Sequence, residues 1–238
     1  TMADQQREPL PENRDPVLTL ADVCVGDTGP VSFSLQPGEM LALAGLRGAG
    51  QEEIGRLLFG LRTRDSGEIT FCQRAFLAHN PREAMEKGVS LVAGDRTGES
   101  LVMSMSVREN LFINPCASGH KLLSHYGRRE EIGASWWKVQ LFDVRPKDVN
   151  IDISALSGGN QQKVVIGRSL LTNPKILFLD EPTRGIDVGA KADVFRMMVQ
   201  LSQQGIAVVF STSDLKEIMA VSDRILVMSG GKLTADIA

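Results

Sequence analysis

Leu156-Ser157-Gly158-Gly159-Asn160-Gln161-Gln162, followed by Ile176-Leu177-Phe178-Leu179-Asp180-Glu181, decides how this chain is read. A serine and two glycines ahead of a helix make an anion-binding corner. Glycine lets backbone N–H groups approach a phosphate closely, and the helix N-terminus adds a favourable dipole. The second run is apolar until it closes on two acids. It reads as a buried strand whose carboxylates emerge at the C-terminal edge, where ligands bind in α/β sheets. There Asp180 can hold Mg²⁺, directly or through water, and Glu181 can polarise an attacking water. The competing reading is plainer: two acids end a strand and cap a turn before Pro182.

Working outward, Val17 to Val25 alternates weakly and reads as a first strand, Val31 to Leu35 as a second, with Pro37-Gly38 as the turn. Met40 to Ala44 is a short buried strand. Gly45 to Gly50 is a glycine-rich loop, and Gln51 to Phe59 carries Ile54, Leu57 and Leu58 at helical spacing. Strand, glycine loop, helix is the order of a phosphate-binding unit. A small strand at Glu68 to Phe71, a helix at Pro81 to Lys87 with proline in its first turn, and a strand at Val89 to Ala93 follow. Residues 106 to 145 are mostly helical in pattern, most clearly from Gly127 to Phe142. Trp136, Trp137, Val139 and Leu141 form either a core face or an exposed docking face, and core packing is the expectation because aromatic stripes at this spacing usually are core; Arg128, Arg129, Glu130 and Glu131 are expected to form a solvated face. From Gly159 the pattern alternates: helix to Leu171, strand Lys175 to Leu179, helix Ala190 to Ser202, strand Ile206 to Phe210 and late strand Arg224 to Met228. Apolar strands separated by helices imply an α/β fold with a mostly parallel, doubly covered sheet.

The chain has 238 residues, enough for a sizeable core, with 42% apolar and 23% charged residues. A net charge of −3 argues against a strongly basic nucleic-acid surface. Cys24, Cys72 and Cys116 form no CxxC pair, which favours a reduced, cytoplasmic setting over a disulfide scaffold or a zinc site. No apolar run approaches the ~20 residues that span a bilayer, and the N-terminus has no signal-peptide core; a membrane role would come through a partner. Residues 1–16 are polar, with three prolines, and read as a linker or cloning remnant. His79, His120 and His125 have no ligand-like spacing.

A full phosphate loop reads G-x-x-x-x-G-K-[ST]. The corresponding run here is Gly45-Leu46-Arg47-Gly48-Ala49-Gly50-Gln51-Glu52. The glycines allow the backbone nest to form. Gln51 brings no charge to the β- and γ-phosphates, and Glu52 replaces a hydroxyl with a carboxylate that faces a triphosphate. Taken alone, the run is either a phosphate loop or a glycine turn with no ligand.

The glycine loop, Leu156 to Gln162, Asp180-Glu181 and Gly185-Ile186-Asp187 occur in an order and at spacings that resemble the nucleotide-binding domain of an ABC transporter, over about residues 17–238. Asn160-Gln161-Gln162 after the glycines, the run Asp180-Glu181-Pro182-Thr183-Arg184-Gly185-Ile186-Asp187, and Ser222-Asp223-Arg224-Ile225 are more specific. They resemble the second, C-terminal ATP-binding half of bacterial importers for ribose, galactose, arabinose and similar sugars. The resemblance implies a P-loop ABC ATPase fold with an antiparallel β part and a helical subdomain at roughly 100–170. It implies ATP and Mg²⁺ as cofactors. Gly45, Gly48, Ala49, Gly50, Gln51, Glu52, Asp187 and Ser213 would lie on nucleotide, Asp180 on the metal, and Glu181 would be catalytic. Ser157, Gly158, Gly159, Asn160 and Gln161 would complete the ATP site of another half. The implied partners are an N-terminal ATP-binding half or second ATPase domain, membrane permease subunits and, indirectly, a periplasmic sugar-binding protein. The implied place is the cytoplasmic face of the inner membrane, and the implied process is sugar import driven by ATP.

Departures from that pattern cluster at one site. Gln51 stands for lysine and Glu52 for serine or threonine. Gly94, in Leu91-Val92-Ala93-Gly94-Asp95-Arg96, stands for glutamine or glutamate, and Ser213 for the histidine that contacts the γ-phosphate. No aromatic residue in Leu18 to Pro30 is available to stack on adenine. Charge-assisted contacts to the transferring phosphate dominate this chemistry, so weak ATP binding and little hydrolysis are expected at the chain's own loop, beside an intact signature. Two other readings stay open: a self-dimerising, independently active ABC ATPase, and a soluble ABC protein outside transport.

Overall fold

The computed structural model describes residues 15–114 and 127–238. Expectations for residues 1–14, Cys116, His120 and His125 lie outside them.

Two sheets organise the chain. Strands β1 (Leu18–Val25), β2 (Thr28–Leu35), β4 (Ser66–Phe71) and β5 (Arg74–Ala75) form an antiparallel sheet in the order β2-β1-β4-β5. Strands β3 (Met40–Ala44), β6 (Val89–Val92), β7 (Ile176–Asp180), β8 (Ala207–Thr212), β9 (Arg224–Ser229) and β10 (Lys232–Ile237) form the second, in the order β10-β9-β3-β8-β7-β6. All its pairings are parallel except that of β10 with β9.

Strand residues alternate between faces, and both faces of the second sheet are covered. Leu41, Leu43, Ile176, Phe178 and Val209 pack in one core with the antiparallel sheet and with Ile54, Leu57 and Leu58 of α1 (Gln51–Leu58). Met40, Ala42, Leu177, Leu179, Val208 and Phe210 pack in the other. That core also takes residues from α3 (Val107–Leu111), α4 (Arg128–Leu141), α5 (Gly158–Ser169) and α6 (Val188–Gln203). This is why the strands read as continuously apolar. Helix α2 (Pro81–Lys87) has Asn80 as N-cap, its side chain accepting from the Glu83 N–H, and helix α7 (Leu215–Val221) follows β8.

The Ser222-Asp223-Arg224-Ile225 run joins the two sheets. Asp223 Oδ2 accepts from the Met40 N–H at 2.8 Å. Arg224 donates to both carboxylate oxygens of Asp236 on β10, and its Nη1 donates to the Ser34 carbonyl of β2 at 2.9 Å.

Two expectations fail on α4. Trp136 and Trp137 are 52% and 63% exposed and Leu141 is 59% exposed; only Val139 of that group is buried. The buried stripe runs instead through Ser135 and Val139, with Ile132 and Phe142 partly covered, so both tryptophans point off it. Glu131 leaves the solvated face and pairs with Arg108 of α3.

Candidate functional site

Because β3, β6, β7 and β8 are parallel, their C-terminal ends share one edge. The loop after β3, Gly94 after β6, Asp180-Glu181 at the end of β7 and Ser211 near the end of β8 meet there around a polar cleft of about 100 Å³. Arg47, Gly48, Gln51, Glu52, Asp180 and Glu181 line it. So do Arg56, Asp95, Glu99, Arg184 and Ser211, which motif reading did not select. Five carboxylates thus face three guanidiniums, and Arg56 is already committed: its Nη2 donates to both oxygens of Glu99 at 2.9 Å.

The loop is shaped by glycine. Gly48 and Gly50 adopt φ of 81° and 106°, the left-handed region that glycine enters without strain. Gly50 is the N-cap of α1 and brings no side chain, so no side chain caps the first-turn N–H groups. Glu52 and Glu53 sit in that first turn, where the helix dipole favours their charge. Gln51 is 6% exposed and folds back: its Nε2 donates to the Leu46 carbonyl at 3.3 Å and lies 2.5 Å from where a Cβ on Gly45 would stand. Its amide serves the loop itself. Ala49 is buried beneath.

Asp180 Oδ1 accepts from the Ser211 hydroxyl at 2.5 Å. A Cβ on Gly94 would fall 2.7 Å from Asp180 Oδ2, so a longer residue at 94 requires Asp180 to turn away from its present position. Glu181 is held at φ 44° with its N–H on the Ser211 carbonyl at 3.1 Å. Burial pushes the Glu181 carboxyl above its ordinary range, with Asp180 and Glu217 adding to the rise, while Arg184 and the Ser213 backbone N–H oppose it. Among the described residues no group of three or more His, Cys, Asp or Glu has the arrangement to hold a metal.

The remaining candidates lie elsewhere. Ser157 is the exposed N-cap of α5, with no side-chain cap on the helix. Its Oγ accepts from Asn160 Nδ2 at 2.9 Å. Gly159 is buried against Ala190 of α6. Gln161 is buried, its Nε2 donating to the Ile153 and Leu156 carbonyls at 3.1 and 3.2 Å. Asp187 caps α6, accepting from the Ala190 N–H at 2.9 Å. Ser213 is exposed and meets Glu181 through its backbone alone. None of these six residues lines the cleft.

Glu217 of α7 went unread in the sequence. It is buried, and its carboxylate accepts from Thr183, Thr212 and Lys191 at 2.8, 3.0 and 2.7 Å. It ties the turn after Glu181 to Thr212 at the end of β8, just before Ser213. A single glutamate in a helical pattern gives no local sign of such a role.

Comparison with known proteins identifies the family and the fold. The ABC transporter family profile matches residues 28–184. A "Ribose import ATP-binding protein RbsA 2" of Burkholderia pseudomallei is 41% identical over 87% of this chain and 40% of its own length. A "Ribose import ATP-binding protein RbsA 1" of Streptomyces coelicolor is 43% identical over 87% of this chain and 41% of its own length. The chain therefore spans about two fifths of the length of these curated relatives. Among solved structures, an ATP-binding cassette of an ABC transporter in its ADP conformation superposes with a TM-score of 0.81 at 25% identity, over 94% of this chain and 91% of that one.

Proposed function

Since the chain belongs to the ABC transporter family, we propose that it is one ATP-binding half, the second of two, in the ATPase of a bacterial sugar importer. Its signature, Ser157 to Gln161, completes an ATP site built on the other half. Its own cleft binds ATP weakly and hydrolyses little. One observation carries the reading: the signature serine sits on an uncapped helix start outside the cleft that holds Asp180 and Glu181. A nucleotide in the cleft leaves that signature unused, and head-to-tail pairing of two halves gives it a ligand.

The quiet cleft is supported by its charges. Carboxylates outnumber guanidiniums along its lining, Glu52 takes the hydroxyl position and Gln51 is engaged with Leu46. A triphosphate and its Mg²⁺ fit this donor set poorly, which supports little hydrolysis at this loop. Ser213 cannot supply the positive charge of an imidazolium. ATP held between halves favours the closed pair, since only that state makes both sets of contacts.

The sugar-import role is supported by the printed names of the relatives. No described helix is long and apolar enough to cross a membrane. On this reading permease subunits supply the path, with a periplasmic sugar-binding protein upstream and this chain at the cytoplasmic face. A groove of about 490 Å³ bordered by Phe59, Leu61, Leu91, Leu101 and Ile113 offers the permease an apolar seat.

The test is Gly158→Asp in the complete transporter reconstituted in vesicles. A carboxylate at the signature opposes the neighbouring ATP, so uptake falls by at least about a hundredfold, as for other oriented phosphate contacts. Uptake at the wild-type rate contradicts the reading.

A further inference from the structure

We propose that Arg96 is a positioning residue that couples this half's own cleft to the signature it offers the neighbouring ATP. The inference rests on the functional reading above and concerns a contact no motif contains.

Arg96 opens a one-turn helical segment, Arg96–Ser100, just after Gly94 and Asp95. Glu99 of that segment faces the cleft and is held by Arg56 on α1, the helix that follows the phosphate loop. The other side of the segment faces the signature. Arg96 Nε donates to Gln161 Oε1 at 3.1 Å, and Arg96 Nη1 donates to the Arg184 carbonyl at 3.4 Å. Gln161 in turn anchors the chain entering the signature through the Ile153 and Leu156 carbonyls. Arg96 Nη2 lies 3.1 Å from where a Cβ on Gly158 would stand. A path therefore runs from α1 through the Arg56–Glu99 pair, along the backbone of the Arg96–Ser100 segment, and through Arg96 and Gln161 to the first turn of α5.

The chemistry of Arg96 suits positioning. It forms no ion pair at contact distance with a carboxylate among the described residues, and its donors go instead to an amide oxygen and a carbonyl. Its planar fork satisfies an amide oxygen and a carbonyl at once, a geometry that lysine cannot reproduce. Arg56 has two choices of partner, Glu99 or an anion entering the cleft. When it turns to the anion, the Arg96–Ser100 segment is released and the hold on Gln161 loosens. The cleft thus keeps a function without turnover: its occupancy biases the signature, and by linkage the neighbouring ATP biases the cleft.

The experiment measures MgATP hydrolysis by the complete transporter in vesicles for Arg96→Ala, Arg96→Lys, Arg56→Ala and the Arg56→Ala/Arg96→Ala double variant. Thermal unfolding is followed in parallel. Arg96→Ala lowers kcat about tenfold with KM for ATP nearly unchanged, because the contact matters in the closed state. Arg96→Lys recovers only part of the loss. Adding Arg56→Ala to Arg96→Ala causes little further loss, because both act through one path. Wild-type kcat in Arg96→Ala, or full additivity of the two losses, overturns the proposal. If Arg96→Ala does not fold, wild-type kcat in a folded Arg96→Lys overturns it equally. Ser157→Ala in the same assay separates the two levels. Unchanged kcat there defeats the functional reading itself; a drop there with none in Arg96→Ala defeats only the coupling role.

Discussion

Gly159 has room for a hydrogen and nothing larger. A Cβ there would stand 2.2 Å from the Ala190 Cβ, so α5 and α6 meet only because position 159 is bare. Gly159→Ala forces the helices apart and costs about 1–3 kcal/mol, the usual penalty of overpacking; chemical denaturation of the variant measures it, and unchanged stability refutes the contact. Glu181 makes a second prediction, in pH. Its folded pKa is raised, so the folded state holds a proton that the unfolded state has released. Stability therefore declines as pH rises from the ordinary carboxylate range through the folded value. Glu181→Gln removes that decline: the variant unfolds at higher temperature than wild type at pH 7, and the gap closes as pH falls below the unfolded pKa. A gap independent of pH contradicts the assignment. At this scale the sequence was legible wherever a residue's role is local. Gly48 and Gly50 take the left-handed backbone that a phosphate nest needs, and Asp180 ends its strand in the cleft. Arg56 and Glu99 were not legible, because each enters the cleft from a segment with no motif of its own; Ser211 stands two residues before Ser213, where nothing local marks its contact with Asp180.

Elements were legible where pattern and packing coincide. Met40 to Ala44 and Pro81 to Lys87 form as read, one from an unbroken apolar run and the other from proline at the helix start. The short or weakly apolar strands β5 and β10 were not. Strand β10 carries no apolar face strong enough to mark it and exists by pairing with β9. The tryptophans of α4 mislead because helical periodicity gives a face without saying what lies opposite. Helix α7 illustrates a polar anchor instead: Glu217 gathers Thr183, Thr212 and Lys191 below the cleft. Glu217→Ala strands two buried hydroxyls and a lysine, costing about 1–3 kcal/mol. It also frees the turn bearing Ser213. Hydrogen exchange at Ser213 and Asp214 should quicken in the variant, and unchanged protection there would show that the anchor is redundant.

The whole molecule separates two surfaces that the linear motifs place in one story. The phosphate loop, Gly94 and the two acids converge because parallel strands end at one edge. The signature sits on α5, which packs beneath the other face of the same sheet. Order and spacing of motifs announce the fold; that separation depends on topology, and the chain's own sequence does not display it. On the proposed function the cleft is quiet while the signature is competent. ATP titration of this chain with and without Mg²⁺, followed by calorimetry, tests it most directly. Binding should be weak, about millimolar, and not strengthened by Mg²⁺, with at least a tenfold gain when Gln51→Lys, Glu52→Ser and Ser213→His are combined, since about 1.4 kcal/mol suffices for that factor. Micromolar binding by the unaltered chain, tightened by Mg²⁺, would contradict it.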